Sequence, residues 1–503
     1  MLLSIGASAG AGAQSLASTP PATCTAPSKA PLTVLTDMSL ITGVVVRFTS
    51  NVNAKATDAH LAKALSVRSA EHLQALVEAP VRSRFDPSQS QGNDAQSAVA
   101  EGRVLGVRWV VTGRAERSKD SVRVSWTVLD SRTGEVRGSG TASDALVRLD
   151  ALATGLAFTI GKRIGYQGPA LKRMVPVSRS VSAMEQYLAG VFEYDSFDPE
   201  ALRRSVASLK GATQAEPGMR PAWSALAVTL TRLVEWGEGA SARGRSDRSR
   251  EALTAANRAL ALAPRDPQSL ATLAHIHVLR DEPVPAKQAL DALRRAAPVS
   301  EDIPWLSAEL SLLRGGDLGM SIDRRELLNS RNAHALFTRA DGERMRGRTV
   351  QACQALNRLI VLEPAWAPAY VERALIRTSL GDRRGGWQDA EMATRLGQPS
   401  WGELVSAIID FSVSDSLRTR ERLRRLGPIS DDTVLPWFDV LLRGAVYSAT
   451  GQAERAAQVL SLAPCDDPRR RRLLRDPLLR RIKVPTACRN SVGSTNPTKD
   501  LAN

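Results

Sequence analysis

The chain has 503 residues, which at roughly 150 residues per domain predicts more than one folded unit. Its 43% hydrophobic and 24% charged residues exclude a disordered chain, and its four cysteines exclude a disulfide-rich scaffold. The net charge of +15 favours a nucleic-acid partner, because clustered cations neutralise phosphates. However, 57 of the 67 basic residues are arginines, a bias typical of GC-rich genomes rather than of one function.

The N-terminus starts with MLLSIGASAGAGAQ, an uncharged run of apolar and small residues. It fits the core of a signal peptide, with Ala11-Gly12-Ala13 as an A-x-A cleavage pattern, or the end of a longer membrane helix. A disordered end is the alternative, because no positive charge precedes the run. Residues 14–31 are rich in Ser, Thr, Pro and Ala and are predicted to be a linker. Residues 1–31 are therefore interpreted as a signal or anchor remnant followed by a linker.

Residues 32–165 combine β-branched runs with helical spacing, which predicts an α/β domain. Val122, Val124, Trp126 and Val128 alternate with polar residues, as in a strand with one buried face. The predicted elements are, in chain order, strands at 32–35 and 43–48, helices at 56–79 and 95–104, a three-stranded antiparallel meander at 107–142 and a helix at 144–164.

Part of this domain resembles a known family, the TolB N-terminal-like or FlgO-like α/β domain. The stretch LGVRWVVTGRAERSKDSVRVSWTVLDSRTGEVRGSG has the family's order of strands and turns. In bacterial relatives this module precedes tetratricopeptide repeats and follows a membrane helix and a DNA-binding, kinase or cyclase domain. The resemblance therefore implies a bacterial sensory or interaction protein. The matching residues, structural in kind, are Leu105, Gly106, Trp109, Gly113, Val122, Val124, Leu129, Asp130, Thr133 and Gly134.

Residues 183–468 show an internal period, and the linker before them is predicted at 166–182. Pro264 and Pro298 are 34 residues apart, Pro364 and Pro399 are 35 apart, and each follows a predicted helix with small and large apolar residues at fixed offsets. This pattern resembles the tetratricopeptide repeat, a helix–turn–helix unit, and implies an all-α solenoid with a right-handed superhelix. Matching residues include Trp223, Leu226, Ala227, Leu230, Tyr370 and Ala374, with Gly347, Gly381 and Gly451 in the turns.

The repeats are not uniform along the chain. Clear or fair units end near Pro217, Pro264, Pro298, Pro364 and Pro468, and a weaker one ends at Pro399. Residues 299–331 and 400–435 are interpreted as distorted repeats or insertions. Residues 233–250 are predicted to be a mobile basic loop.

The sequence contains no enzyme constellation: no P-loop, no nucleophile elbow and no HExxH motif. His275 and His277 are two apart on a predicted helix, so they point to different faces and cannot share a metal ion. We therefore expect a non-enzymatic protein without cofactor or metal.

The resemblance implies a groove lined by the first helix of each repeat, suited to a peptide or helix of a partner. A chaperone-tail clamp is disfavoured, because the groove residues are mixed and partly apolar and do not form its set of Lys, Asn and Arg side chains. Ordinary helix surface is the alternative for each residue taken singly. The candidate groove residues are Gln268, His275, His334, Phe337, Asp341, Arg344, Val371, Leu375 and Thr378.

Residues 469–503 are predicted to be a basic C-terminal cap and tail. Between Cys465 and Asn490 the chain has eight arginines, one lysine and three aspartates. Capping helices with inward leucines are favoured over a nucleic-acid or anionic-lipid patch, and the absence of aromatic residues among the arginines argues against base stacking. In an oxidising compartment Cys465 and Cys488 could pair. The arginines of this basic tail are Arg469, Arg470, Arg471, Arg472, Arg480 and Arg481.

Together these features predict an α+β domain followed by an all-α repeat array, acting as an interaction scaffold or sensory module. We expect it to be periplasmic or membrane-anchored with its domains outside the cytoplasm, and to attach to a membrane only at the N-terminus; a cytoplasmic location is the alternative. Two other functions stay open: the sensor half of a membrane-anchored regulator or kinase whose output domain lies elsewhere, and nucleic-acid binding through the basic tail.

Overall fold

The computed structural model describes Cys24 and residues 43–50, 56–77, 81–83, 95–169, 178–194, 199–235, 242–313, 332–426 and 437–461. Several predicted features lie outside these residues: the strand at 32–35, the basic tail, Cys465, Cys488 and all of residues 1–31 except Cys24. The described part of the chain forms a small α/β domain followed by an array of helices that pack in pairs.

The α/β domain contains a five-stranded sheet in the order β2-β1-β3-β4-β5. β1 pairs in parallel with β2 and β3, and β3, β4 and β5 form an antiparallel meander. The meander and β1 are confirmed, as are the helices predicted at 56–79, which ends earlier at Gln74, and at 95–104. β2, only three residues long, was not predicted. The elements are β1 Val44–Thr49, α1 Ala56–Gln74, β2 Val81–Ser83, α2 Ala95–Leu105, β3 Trp109–Ser118, β4 Ser121–Asp130, β5 Val136–Ala145 and α3 Leu149–Arg163.

The last helix of the domain starts later than predicted. Residues 144 and 145 still belong to β5, a 3-10 turn follows at Leu146–Arg148, and α3 begins at Leu149. The β4–β5 ladder continues to the pair Ser121 and Ala145, so pairing with β4 holds these residues extended and delays the helix.

The two faces of the sheet are covered by different helices. Alternate strand residues such as Val44, Val111 and Val124 share a core with α1, α3 and the first helices of the array. Residues of the opposite face, among them Val45 and Val110, share another core with α2. All six residues of β1 are buried, so this strand is covered on both faces, as its apolar sequence predicts.

The helical array comprises α4–α18, residues 181–461. The helices pack as the pairs α4/α5, α6/α7, α8/α9, α11/α12, α13/α14, α15/α16 and α17/α18, while α10 packs on α8, α9 and α11. Their bounds are α4 Val181–Glu193, α5 Pro199–Ala215, α6 Arg220–Glu235, α7 Ala242–Leu262, α8 Pro267–Leu279, α9 Pro283–Ala296, α10 Asp302–Leu313, α11 Ala333–Met345, α12 Thr349–Leu362, α13 Ala367–Ser379, α14 Arg383–Arg395, α15 Pro399–Ser412, α16 Ser416–Arg425, α17 Trp437–Ala449 and α18 Ala453–Ser461.

The turns inside the pairs repeat one hydrogen-bond pattern. At Gly347, Gly381 and Gly451 the backbone has a positive φ, and the next residue donates its N–H to the carbonyl five residues earlier. This is the 6→1 bond of a Schellman turn, which needs a left-handed residue. Asp281 and Ser414 adopt the same conformation in the α8/α9 and α15/α16 turns. The α15/α16 pair therefore places a helix pair of the array within residues 400–435.

The predicted mobile loop at 233–250 is wrong for its described part. Residues 233–235 end α6, and residues 242–250 form the first turns of α7, which is 21 residues long. Four of residues 242–250 are arginines, which favour helix. Ala252, Ala256 and Ala259, further along the same helix, are fully buried.

Candidate partner-binding face

All nine candidate groove residues lie on first helices of the array. Gln268 and His275 are on α8; His334, Phe337, Asp341 and Arg344 are on α11; Val371, Leu375 and Thr378 are on α13. First helices pack on one another along much of the array, for example α6 on α8 and α13 on α15. We call the surface that they form the first-helix face.

Aromatic rings form a row that crosses α8, α10 and α11, and two of its members, Trp305 and Trp366, are buried. His275 meets Trp305 edge-on at 4.8 Å between ring centroids, and Trp305 stacks on His334 at 5.1 Å. His334 meets Trp366 at 4.8 Å, and Phe337 stacks on Trp366 at 6.4 Å. We call these five residues the aromatic ladder. It joins three predicted residues to two tryptophans that the sequence analysis did not single out.

The ladder ends at a carboxylate. Glu235, the last residue of α6, lies 3.1 Å from His275 Nε2. Burial alone would raise the pKa of Glu235, but His275, His334 and Arg232 outweigh it and hold that pKa at about 2. Burial lowers the pKa of His334 to about 3, although the charge of Glu235 acts in the opposite direction. The middle of the ladder is therefore neutral at physiological pH, and its end is anionic.

The remaining predicted residues bond within the array. Arg344 donates to Asp341 at 3.1 Å and lies 3.1 Å from Glu372 on α13. Gln268 accepts a hydrogen bond from Ser224, and the hydroxyl of Thr378 donates to the carbonyl of Ala374. Val371 and Leu375 are buried in a core shared with α15 and α17. The structure thus brings His275, His334 and Phe337 together and places the other six in intramolecular contacts; a partner contact stays a prediction for all nine.

The α/β domain packs on this array at two separate places. At its near contact, α1 packs on α4, and Lys63 donates to the carbonyl of Phe192 at 2.8 Å. At its far contact, α2 packs on α12, and Ala98, Val99 and Val110 share a core with α11, α12 and α13. Because one small domain touches both α4 and α12, the array curls around it.

Buried charges lie beside the near contact. Arg68 on α1 donates to Asp150 on α3 through Nε at 2.7 Å and Nη2 at 2.5 Å, and His72 Nε2 is 3.0 Å from the same oxygen. Burial by itself would raise the pKa of Asp150, but Arg68 and His72 outweigh it and hold the pKa well below its usual range. Burial lowers the pKa of His72. This Arg–Asp–His cluster is a compensated buried ion group next to the first helices of the array.

The far contact contains a disulfide that the sequence analysis did not predict. Cys24, expected in a linker, is 3% exposed and bonded to Cys353 on α12, with 5.8 Å between the Cα atoms. Arg377 on α13 donates from Nε to the carbonyl of Cys24 at 3.2 Å. Cys465 and Cys488, which the sequence analysis suggested could pair, lie outside the described residues. No local pattern marked Cys24, because a pairing across 329 residues depends on the tertiary fold.

A polar cavity of about 380 Å³ lies on the part of the sheet that α2 leaves uncovered. Arg114, Arg123 and the hydroxyls of Thr112, Ser125 and Thr127 are among its lining groups. Glu116 stands directly opposite Arg123 in the β3–β4 register. The carboxylate therefore offsets one guanidinium, and the described lining has the character of a solvated sheet face.

None of the helices in the described ranges is both long enough and apolar enough to cross a bilayer. Comparison of the chain with protein-family models finds no matching family, and comparison with curated proteins finds no match.

Proposed function

We propose that the chain is a non-enzymatic interaction scaffold or sensory protein that holds a peptide or helix of a partner protein on its first-helix face. The aromatic ladder carries this proposal. Aromatic side chains dominate the energetics of protein interfaces, and the ladder joins the partly exposed rings of His275, His334 and Phe337 to two buried tryptophans in one row.

The repeating turns support a tetratricopeptide array. Five pairs use the same left-handed residue and the same 6→1 hydrogen bond, at Asp281, Gly347, Gly381, Ser414 and Gly451. Trp223 and Tyr370 add a second recurrence, because each donates to the carbonyl of a proline six residues earlier, at 2.9 Å. The sheet order and the confirmed meander are compatible with a TolB-N-like module, which favours a sensory role.

The disulfide supports a location outside the cytoplasm. Disulfides form and persist in oxidising compartments, whereas cytosolic thiols are kept reduced. Cys24 and Cys353 are both buried and bonded, so the described fold is the one that an oxidising compartment would produce.

Partner binding is tested with the oxidised full chain. Proteins captured from an extracytoplasmic extract are identified, and their binding is then measured for a chain carrying His275→Ala with Phe337→Ala. The matched control is Trp387→Ala, an aromatic residue on the second helix α14 that is 37% exposed. We expect at least tenfold weaker binding for the ladder variant and unchanged binding for the control. Equal affinities for both variants would remove the proposal.

A further inference from the structure

The disulfide connects two parts of the molecule that are remote in sequence. Cys24 precedes the whole α/β domain, and Cys353 lies 329 residues later on α12. Both residues are buried, with 3% and 2% of their surface exposed. The bond therefore lies inside the far contact and not on the surface of the protein.

The array also binds the backbone at Cys24. Arg377 is itself buried, and its Nη1 donates to the carbonyl of Gly385 at 3.1 Å and to Asp389 at 2.9 Å. These bonds fix the guanidinium so that Nε points at the carbonyl of Cys24. Asp389 in turn accepts two hydrogen bonds from Arg373, so the arginine is held by a preformed network of α13 and α14.

The near and far contacts differ in what holds them. The near contact joins the sheet core to the first helices of the array in one continuous apolar cluster. At the far contact, Cys24 and Cys353 are members of the apolar cluster that α2 shares with α11, α12 and α13. The far contact is thus the one whose apolar core contains a covalent bond.

We propose that the Cys24–Cys353 disulfide is a latch that closes the array around the α/β domain, and that the redox state of the compartment sets it. With both thiols reduced, α11–α13 separate from α2 while the near contact persists. Because the bond is buried, a reductant reaches it slowly, so the closed form is kinetically protected once it has formed. The latch concerns the chain alone and holds whether or not the ladder binds a partner.

Closure needs a disulfide-bearing oxidant, such as a protein thiol oxidase of the disulfide-exchange class. The thiolate of one cysteine attacks the acceptor disulfide, forms a mixed disulfide and displaces one acceptor sulfur as a thiolate. The second cysteine, as thiolate, attacks the mixed disulfide and displaces the other acceptor sulfur. Two electrons pass to the acceptor, which leaves as a dithiol after taking up the two thiol protons.

Hydrogen exchange of the full chain tests the latch. Exchange is followed in α2 and α12 at the far contact and in α1 and α4 at the near contact, for the oxidised chain, the reduced chain and Cys24→Ser. Cys465→Ser with Cys488→Ser, tested with and without reductant, is the matched control for the other two cysteines. We expect at least tenfold faster exchange in α2 and α12 of the reduced chain and of Cys24→Ser, with α1 and α4 unchanged.

Two results would overturn the proposal. Unchanged exchange at the far contact of Cys24→Ser would mean that the bond holds nothing closed. Equal acceleration at the near and far contacts would mean that the bond staples the whole fold and does not latch one contact. As an independent reading, thiol trapping should find Cys24 and Cys353 free when the chain is retained in a reducing cytosol and bonded when it is exported.

Discussion

The near and far contacts both hold the α/β domain against the array, but by different interactions. At the near contact, where Lys63 and Phe192 are 129 residues apart in the chain, α1 and α4 share a continuous core beside the Arg68–Asp150–His72 cluster. At the far contact, α2 meets helices more than 200 residues later, and a disulfide lies within the shared core. Loop entropy does not separate the two contacts, because each doubling of loop length costs only about 0.6 kcal/mol. The far contact differs in its covalent bond, which stabilises the fold by restricting the unfolded chain.

Removing the buried carboxylate at the near contact should have the largest effect on stability. Asp150→Ala leaves Arg68 buried without its main partner, which costs about 3–5 kcal/mol in free energy of unfolding. Urea unfolding measures the loss. Glu185→Ala is the control, because its ion pair with Arg117 also joins the α/β domain to α4 but its side chain is 47% exposed, so that we expect about 1 kcal/mol or less. Similar losses of unfolding free energy in the two variants would contradict the assignment of Asp150 as the main partner of the buried Arg68.

Breaking the disulfide should rank second. Cys24→Ser is expected to lower the free energy of unfolding of the oxidised chain by about 2–4 kcal/mol, because the unfolded chain gains freedom. Cys353→Ser should give the same loss, since each variant removes the same bond. A wild-type midpoint of unfolding that is unaffected by either substitution would show that the two cysteines are not joined.

Acidification should weaken the first-helix face through His334. Its folded-state pKa of about 3 lies below the unfolded value of 6.5, so the unfolded chain binds the proton more readily. The stability that His334 contributes is complete above pH 6.5 and is lost progressively as the pH falls towards 3. His334→Phe keeps a ring in the ladder and should flatten the pH dependence of the unfolding midpoint between pH 6.5 and 5. Identical slopes for the variant and the wild type would refute this account.

Two carboxylates, Glu235 at the end of the ladder and Asp150 beside the near contact, titrate at lower pH than His334. Glu235, with a folded pKa of about 2 against 4.5, contributes stability above pH 4.5 that is lost as the pH falls towards 2. The lowered pKa of Asp150 acts in the same direction. Their effects on stability therefore appear at lower pH than the range between pH 6.5 and 5 that is used for His334.

The smallest predicted effects on stability come from substitutions in two turns of the array. Gly381→Ala places a side chain at φ 87° and should destabilise the chain by about 1 kcal/mol. Ser414→Gly, at φ 62°, should stabilise the chain by up to about 1 kcal/mol, because glycine relieves the left-handed strain. Thermal unfolding of both variants measures the difference. Shifts of the same sign would mean that the two turns are not equivalent.

Most of the sheet and many helices were predictable because their signals are local. The alternation from Val122 to Val128 predicts β4, and the spacing of leucines predicts α1. β2 was missed because Val81–Ser83 is too short to show a period and exists through its pairing with β1. The α15/α16 pair was obscured by Ser414, which holds the turn in a conformation that sequence patterns associate with glycine.

The candidate site was predictable in position more than in chemistry. The repeat frame placed His275, His334 and Phe337 on one face, where the structure joins them in the ladder. It could not show Trp305, which lies in a stretch without clear repeat residues, or Trp366, which precedes α13 at its N-cap. Nor could it show that Cys24 reaches α12, since no local pattern encodes a contact made only when the array curls around the domain.

The most direct test of this closed arrangement is peptide mapping under non-reducing conditions, with free thiols blocked before digestion of the exported full chain. We predict one cross-linked species that joins the peptide containing Cys24 to the peptide containing Cys353 and that disappears on reduction. Blocked thiols at both residues, or a bond from Cys24 to Cys465 or Cys488, would contradict the account.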